Sequence, residues 1–319
     1  MQQTKASGRK VVVVGAGSVG ATFCYALAQS GAAEEIVLID RNADLAKGQA
    51  LDMAHGRPFF PAVAIRAGAV SDYADADVIV VTAGAAQKPG ETRLQLLQKN
   101  AAIMSGIVGD IVAQRAAGVV VVVSNPVDVL THVALRRVGW ERGRVIGSGT
   151  VLDSARFRYL LSEHCGVDVH NVHAYMLGEH GDSEFAAWSM THIAGMSMET
   201  YCPLCRQCED WPAERRRIVQ EVRDSAYHLI GYKGTTCFGV GMALVRIVSA
   251  VLRGENSVLT VSVRLDGEFG LSDVCLSVPC VVGRGGVSRI VESRLADEER
   301  AALAASAGVL KQALTALES

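Results

Sequence analysis

The sequence lacks an excess of charge of one sign and a long uninterrupted hydrophobic run. Its 31 lysines and arginines are interspersed with 33 aspartates and glutamates, for a formal net charge of −2. This balance argues against a surface that binds nucleic acid or an anionic membrane. No charge-free apolar stretch approaches the ~18 residues of a membrane span, and the apolar run at 11–14 is too short for a secretory signal. We therefore expect a cytoplasmic protein with a small-molecule partner, no nucleic acid and no membrane.

Internal repeats and a linker rich in proline, serine or charge are also lacking. These absences exclude a solenoid and predict that the parts of the chain pack directly together. Eight cysteines are present. We nevertheless expect no disulfide, because a large chain without an export signal keeps its thiols reduced as small buried hydrophobes. At 319 residues, half of them apolar, the chain can bury a large core.

Short runs rich in valine and isoleucine recur in the first 147 residues. Because they do not alternate with polar residues, they are typical of strands buried on both faces of a parallel sheet. They occupy residues 11–14, 36–39, 78–82 and 119–123. Apolar spacings of three and four predict helices over residues 18–30, 43–55, 92–116 and 126–137. This alternation predicts an α/β fold with an N-terminal Rossmann domain, a doubly wound parallel sheet, over residues 1–147.

The order of the elements changes after residue 147. Helices are predicted near residues 150–165, 212–230, 237–252 and 296–317. Strands are predicted near residues 171–176, 257–264 and 273–282. The pattern predicts a mixed α+β catalytic domain over residues 148–319.

A glycine-rich turn follows the first strand and opens a helix, in the sequence GAGSVG. Gly15 would make the turn, Gly17 would admit a pyrophosphate, and Gly20 would let the helix pack closely. Asp40 follows the second strand, where a carboxylate accepts hydrogen bonds from ribose hydroxyls and repels a 2′-phosphate. A role for Asp40 in the turn alone fits this context less well. The pattern therefore predicts NAD as the cofactor, with Val19 in the same turn also at the cofactor site.

Three residues in the second half are candidates for chemistry. His180 lies between glycines in GEHGD, whose turns could hold its ring in a cleft as an acid or base. Asp153 and Arg156 are three residues apart near the start of a predicted helix, so both side chains can lie on one face. From spacing alone, a structural histidine and a surface ion pair are the commoner explanations.

Two further candidates follow strands at the carboxyl edge of the predicted sheet, where open α/β sheets bind ligands. Arg93 comes after the loop that follows the strand at 78–82. Asn125 closes the strand at 119–123, within reach of a nicotinamide and a substrate. A solvated loop arginine and a helix-capping role for Asn125 or Ser124 are open alternatives.

Together these residues resemble the L-lactate/malate dehydrogenase family, and the resemblance covers nearly the whole chain. It implies that His180 donates a proton to a substrate ketone as hydride arrives from the nicotinamide, while Asp153 favours the protonated ring. It also implies that Arg156 clamps the substrate carboxylate and that Arg93 polarises the carbonyl.

The resemblance also carries an expectation about substrate. Gln87 matches a loop position that is arginine in malate dehydrogenases and glutamine in lactate dehydrogenases, so pyruvate and lactate are the expected substrate and product. A dicarboxylate closed into this site without a cation would leave a desolvated charge unpaired. Thr236 matches the opposite wall of the substrate pocket. Val240 matches an apolar contact with the nicotinamide, although packing alone explains it equally well.

Regulation and assembly are implied by the resemblance alone. Arg158 and His173 match positions that bind fructose 1,6-bisphosphate across a subunit interface in bacterial members of the family. Allosteric activation and a homotetramer are the expectations. A solvated arginine, a water-facing histidine and a dimer are the alternatives.

Three cysteines with the spacing C-x2-C-x2-C raise the question of a metal. Cys202, Cys205 and Cys208 lack the fourth ligand that a structural zinc site requires. We expect no metal, and we expect these thiols to lie on the surface.

Two other functions compete with the one that the resemblance implies. Another L-2-hydroxy acid dehydrogenase would act on malate or a branched-chain substrate, and Gln87 disfavours malate. A non-catalytic NAD-binding protein would keep the glycines but not the set formed by His180, Asp153, Arg156 and Arg93.

Overall fold

The computed structural model describes residues 8–86, 90–205, 207 and 209–318. Six parallel strands form one part of its main sheet. They are β1 (Lys10–Val14), β2 (Glu35–Ile39), β3 (Ala64–Ala67), β4 (Val78–Val81), β5 (Val119–Val122) and β6 (Val145–Gly147). The strands lie in the order β3-β2-β1-β4-β5-β6. This order confirms the predicted doubly wound sheet, whose direction of winding reverses between β1 and β4.

Four helices connect these strands. They are α1 (Ser18–Ser30), α2 (Ala43–His55), α3 (Arg93–Ala113) and α4 (Val127–Val138). The strands β1, β4 and β5 are completely buried because helices cover both faces of the sheet. Burial on both faces explains why their sequences read as unbroken valine-rich runs.

The second half of the chain extends the same sheet instead of forming a separate one. Its long strands are β12 (Ser257–Asp266), β13 (Ser272–Gly283) and β14 (Gly286–Ile290), which follow β6 in antiparallel order. The two halves of the sheet join where Ser262 of β12 pairs with Gly147 of β6. A division into domains at residue 147 stays a prediction, since the sheet continues across it.

Helices and short strands complete the second half. The helices are α5 (Val151–Cys165), α6 (Met198–Cys205), α7 (Trp211–Lys233), α8 (Phe238–Arg253) and α9 (Asp297–Glu318). The short strands are β7 (Val172–His173), β8 (Met176–Leu177), β9 (Phe185–Ala186), β10 (His192–Ile193) and β11 (Met196–Ser197). In the part of the chain described above, no helix is both long and apolar enough to cross a membrane.

The sequence patterns missed strands that lie at edges or are very short. The edge strand β3 is only partly buried, so it lacks the apolar run that identifies its neighbours. The strand predicted near 171–176 is two separate strands, β7 and β8, which belong to different small sheets. Strands of two residues carry too little periodicity to be read from sequence.

The junction between the halves yields a test of stability. A methyl group at Gly147 would lie 2.8 Å from Ser262 Cβ and 2.5 Å from Thr131 Oγ1, so Gly147→Ala must push β12 or α4 away. We expect the change to lower the free energy of unfolding by about 1–3 kcal/mol, as overpacking does in other cores. Urea unfolding measures the loss.

Gly106→Ala is the matched control for this substitution. Gly106 lies exposed within α3, and a methyl group there meets no atom within 4 Å. Alanine in a helix interior is favoured over glycine by about 0.5–1 kcal/mol, so the control should be neutral or stabilising. Equal destabilisation by both substitutions would contradict the role given to Gly147.

Candidate active site

The loop after β8 carries His180, and both halves of the chain hold this loop in place. At its start, the backbone groups of Gly178 exchange hydrogen bonds with those of Ser277 on β13, at 2.9 and 2.8 Å. Gly178 has a φ of 96°, which favours glycine, and a methyl group there would lie 2.8 Å from Ser306 Oγ. The backbone N–H of His180 donates to Asp128 Oδ2 on α4 at 2.8 Å. These contacts fix the backbone from which the His180 ring projects.

Asp153 joins His180 and Arg156 through its two carboxylate oxygens. His180 Nδ1 lies 2.6 Å from Asp153 Oδ2, and Arg156 Nη1 donates to Asp153 Oδ1 at 2.7 Å. The Asp153 side chain is 3% exposed, whereas the His180 side chain is 28% exposed. The acid is therefore buried behind a histidine whose ring reaches the solvent-accessible side of the site.

The electrostatics of this group favour a charged pair. Burial opposes the charge on Asp153, but the charges and hydrogen bonds of His180 and Arg156 hold its pKa below the usual value. In turn, the charge of Asp153 raises the pKa of His180 to about 9, against the lowering effect of burial. At neutral pH the ring is an imidazolium that can donate a proton.

A small hydrogen-bond network fixes the start of α5, from which Asp153 and Arg156 project. Ser154 Oγ lies 3.0 Å from Thr260 Oγ1 on β12 and accepts from the backbone N–H of Met176 at 2.9 Å. The Thr150 hydroxyl donates to the Met176 carbonyl at 2.5 Å. The spacing of Asp153 and Arg156 could not reveal these contacts, because they come from distant parts of the sequence.

Two further carboxyl groups lie near His180, and sequence reasoning missed both. Burial raises the pKa of Asp128 to about 6. Burial and the charge of Asp153 raise the pKa of Glu184 well above its usual value, which favours its neutral form. One ligand-type atom from each of Glu184, Asp153 and His180 lies within 4.8 Å of the others. An acid within the apolar run VDVLTHVAL was the available signal for Asp128.

A cavity of about 1090 Å³ opens at the carboxyl edge of the parallel strands, beside the glycine-rich turn. Its lining includes Gly15, Gly17, Asp40 and residues 82–86. Its position at the edge where β1 and β4 adjoin is the usual ligand site of a doubly wound sheet.

The three glycines of the turn have different structural roles. Gly15 has a φ of 108°, and a methyl group on Gly20 would lie 1.9 Å from the Gly15 carbonyl oxygen. A methyl group on Gly17 would meet no atom within 4 Å, so this glycine leaves the N-terminus of α1 open to the cavity. A helix N-terminus favours an anion such as a phosphate. Val19 lies half-buried in the first turn of α1.

Asp40 has a structural contact in addition to its place in the cavity. Its Oδ2 accepts from the backbone N–H of Ala16 at 2.8 Å, and its Oδ1 accepts from that of Asn42 at 2.8 Å. A carboxylate has about four lone-pair sites, so these bonds leave capacity for hydroxyl donors. Both the turn role and the ligand role are therefore compatible with this geometry.

Asn125 and Arg93 lie on the segments that follow β5 and β4. Asn125 is exposed, and its carbonyl accepts from Asn100 Nδ2 at 3.0 Å. Arg93 is exposed as the first residue of α3. The hydroxyl of Tyr227 on α7 donates to Asp182 Oδ1 at 3.0 Å, and this contact raises the pKa of Tyr227. The positive charge of Arg93 lowers the same pKa. Gln87 lies outside the described residues.

Thr236 and Val240 lie where α7 leads into α8. Thr236 is half-buried just before α8, and Val240 is half-buried in the first turn of that helix. A methyl group on the neighbouring Gly239 would lie 2.9 Å from Leu152 Cδ1, so the start of α8 lies against the start of α5. Among the residues that the structure describes, no hydrogen bond joins Thr236 or Val240 to His180.

Arg158 and His173 line a second cavity, of about 490 Å³, with Arg246. Arg158 Nε donates to the Val172 carbonyl at 2.8 Å, and its Nη2 donates to the Val169 carbonyl at 3.2 Å. His173 is exposed on β7. Two guanidinium groups and an imidazole on one concave surface can donate hydrogen bonds to an anionic ligand, although Arg246 also pairs with Glu255.

Comparison with known proteins agrees with this architecture. Residues 9–147 match the model of the lactate/malate dehydrogenase NAD-binding domain, and residues 150–319 match that of the lactate/malate dehydrogenase alpha/beta C-terminal domain. The chain belongs to the lactate/malate dehydrogenase family. It is an NAD-dependent oxidoreductase, and the cavity at the glycine-rich turn is suited to its cofactor NAD(H).

Individual relatives cover almost the full chain. The L-lactate dehydrogenase of Treponema denticola is 61% identical over 308 residues, which are 96% of this chain and 98% of the relative. The L-lactate dehydrogenase of Acetivibrio thermocellus is 49% identical over 97% of this chain and 98% of its own length. A lactate dehydrogenase from a deep-sea metagenome superposes with a TM-score of 0.95 at 42% identity, covering 98% of this chain and 99% of its own.

The hydrogen bond between Asp153 and His180 leads to a prediction about titration. Asp153→Asn removes the charge that raises the pKa of His180, while burial continues to lower it. We therefore expect the pKa of His180 to fall from about 9 to about 6.5 or below, its value without such a partner. The chemical shift of histidine labelled with ¹³C at Cε1, followed against pH, reports the change.

His180→Gln assigns the His180 signal in this measurement, and Asp168→Asn is the control. Asp168 Oδ1 lies 2.7 Å from Nδ1 of the exposed His170, so its loss removes a similar contact far from the site. Its substitution should leave the His180 titration unchanged. An unchanged pKa of His180 in Asp153→Asn would contradict the electrostatic account.

Proposed function

We propose that the chain is an L-lactate dehydrogenase, which reversibly reduces pyruvate to L-lactate with NADH. The observation that carries this proposal is the arrangement of His180 and Arg156 on the two oxygens of the buried Asp153. His180 can donate a proton and Arg156 can bind a carboxylate. Reduction of a 2-oxo acid requires both functions, one at the ketone oxygen and one at the carboxylate. The identities to L-lactate dehydrogenases support the same substrate.

In this proposal, the residues of the chain bind, orient and protonate the substrate. His180 donates a proton from its outer ring nitrogen to the ketone oxygen, while its Nδ1 stays bound to Asp153. When bound, NADH supplies the hydride that reaches the ketone carbon. Solvent then returns the proton to His180, and lactate oxidation reverses these steps. The raised pKa of His180 keeps the proton available at neutral pH.

The two arginines divide the recognition of the substrate. The Arg156 side chain is 15% exposed, and its remaining N–H groups are proposed to bind the pyruvate carboxylate in bidentate fashion. Arg93 is proposed to polarise the carbonyl from the start of α3. Asn125 and Thr236 are proposed to line the remaining walls, and Gln87 to face the methyl group.

The cofactor is proposed to bind with its pyrophosphate at Gly15, Gly17 and Gly20, and with its adenosine ribose at Asp40. Val19, Asn125 and Val240 are proposed to contact the nicotinamide half. The boundary between an NAD-binding domain at 1–147 and a catalytic domain at 148–319, a homotetramer and a cytoplasmic location stay predictions.

A substrate panel tests the proposed specificity. We expect NADH oxidation with pyruvate to exceed that with oxaloacetate by on the order of a hundredfold in kcat/KM, because no cation would pair the second carboxylate. Gln87→Arg should reverse the preference. Gln98→Arg makes the same charge change on the exposed face of α3 and should not. Faster reduction of 2-oxoisocaproate than of pyruvate would favour a branched-chain enzyme, and inactivity despite NADH binding would favour a non-catalytic protein.

We further propose that fructose 1,6-bisphosphate activates the enzyme at the cavity lined by Arg158, His173 and Arg246. The support is the concentration of cationic side chains there, together with the resemblance to bacterial members of the family. The start of α5, which carries Asp153, is part of the same wall through Val151, Leu152 and Ser154. An anion bound in this cavity can therefore bias the helix that supports the active site.

Activation is tested by measuring turnover at low pyruvate with and without fructose 1,6-bisphosphate. We expect a lower KM for pyruvate in its presence, because the anion would favour the arrangement of α5 that binds substrate. Arg158→Gln and His173→Gln should each remove the response. The controls are Arg300→Gln and His170→Gln, which change side chains exposed elsewhere on the surface. Absence of stimulation in the wild-type protein would exclude the effector.

A further inference from the structure

Three potential metal ligands converge where α5, α6 and α7 meet, away from the site of His180. His164 lies in the last turn of α5, and Cys202 and Cys205 lie on α6. One ring nitrogen of His164 and the sulfur atoms of both cysteines lie within 4.8 Å of one another. Cys202 is buried, so the expectation of a surface thiol was wrong for this residue, whereas Cys205 is half-buried. Cys208 lies outside the described residues.

His164 offers a buried nitrogen lone pair at this cluster. Its side chain is 7% exposed, and its Nδ1 lies 3.1 Å from Glu214 Oε1. Because a carboxylate oxygen accepts hydrogen bonds, Nδ1 is the ring nitrogen that donates to Glu214. Nε2 then has a lone pair, and it has no hydrogen-bond partner among the residues that the structure describes. A buried polar atom of this kind calls for a ligand.

We propose that His164, Cys202 and Cys205 bind a divalent ion of the zinc type. Thiolate and imidazole ligands together favour zinc over oxygen-preferring ions such as Mg²⁺. Zinc bonds of ~2.3 Å to sulfur and ~2.0 Å to nitrogen place ligand atoms of a tetrahedral site about 3.5–3.8 Å apart, so small side-chain rotations suffice. Water would fill the fourth position, as it does at zinc sites with three protein ligands, so the lack of a fourth protein ligand does not prevent binding.

The charges and the surroundings of the cluster suit such an ion. Binding releases the two thiol protons to solvent, and two thiolates neutralise the ion, which limits the cost of burying it. Glu214 would orient the histidine from behind, as carboxylates commonly do at zinc sites. Trp211 stacks on the His164 ring, with the ring centroids 5.8 Å apart, and limits its rotation.

The proposed ion would link helices and would take no part in the reaction of His180. His164 follows Asp153 by eleven residues on the same helix, which corresponds to about 16 Å along the axis. The ion would connect the end of α5 to α6, which otherwise meet through the apolar cluster that includes Cys165, Cys202 and Trp211. Its expected effect is therefore on stability.

Titration of Co²⁺ into tag-free, reduced, full-length protein tests the proposal. We expect binding of about one Co²⁺ per chain, with thiolate-to-cobalt charge-transfer absorption and the visible bands of a tetrahedral ion, both removed by Zn²⁺. Cys205→Ser and His164→Ala should each abolish this spectrum. Glu214→Gln should weaken binding by about tenfold or more. Zn²⁺ should raise the thermal midpoint of the wild-type protein but not that of Cys205→Ser.

Cys24→Ala and His170→Ala are the matched controls, because Cys24 is buried in α1 and His170 is exposed near β7. Both should keep the cobalt spectrum. NADH oxidation by each variant verifies folding. If His164→Ala does not fold, Cys205→Ser tests the proposal alone, because Cys205 is only half-buried. The proposal is overturned if the wild-type protein shows no thiolate bands. It is also overturned if the bands persist in Cys205→Ser, or if either control loses them.

Discussion

The candidate active site depends on the pairing of the buried Asp153 carboxylate with His180 and Arg156. A carboxylate that is 3% exposed is costly to leave unpaired, and two cationic groups compensate it from opposite oxygens. The same compensation fixes the direction of the His180 ring and keeps it protonated. Because Arg156 is bonded to the other oxygen, a single side chain fixes the positions of the His180 ring and the Arg156 guanidinium relative to each other. Glu184 and Asp128 lie close by, and burial raises the pKa of both carboxyl groups above its usual value.

The continuous sheet explains how two halves of the chain build one site. The parallel strands end at the cofactor cavity, and β12 and β13 bring the second half alongside through the close contact of Gly147 with Ser262. The loop of His180 is bonded on one side to β13 and on the other to α4. The position of His180, the proposed proton donor, therefore depends on both halves of the chain.

Helix α5 contributes residues to the candidate active site, to the second cavity and to the proposed metal cluster. Its start carries Asp153 and Arg156, its middle carries Arg158 at the cavity that His173 and Arg246 also line, and its end carries His164 at the proposed metal cluster. The proposed activation would act along this helix, since its first turns both line the cavity and carry Asp153.

Local sequence determined the parallel strands, the glycine-rich turn and the family, because buried valine runs and glycine spacing depend on neighbours along the chain. It also singled out His180, Asp153 and Arg156 as candidates, but spacing could not distinguish Asp153 and Arg156 from an exposed ion pair. Only the tertiary structure decided that Asp153 is buried against His180, that Asp128 and Glu184 lie beside it, and that His164 joins Cys202 and Cys205. Burial and pKa are set by groups that come together across long separations in sequence, and no local pattern records those distances.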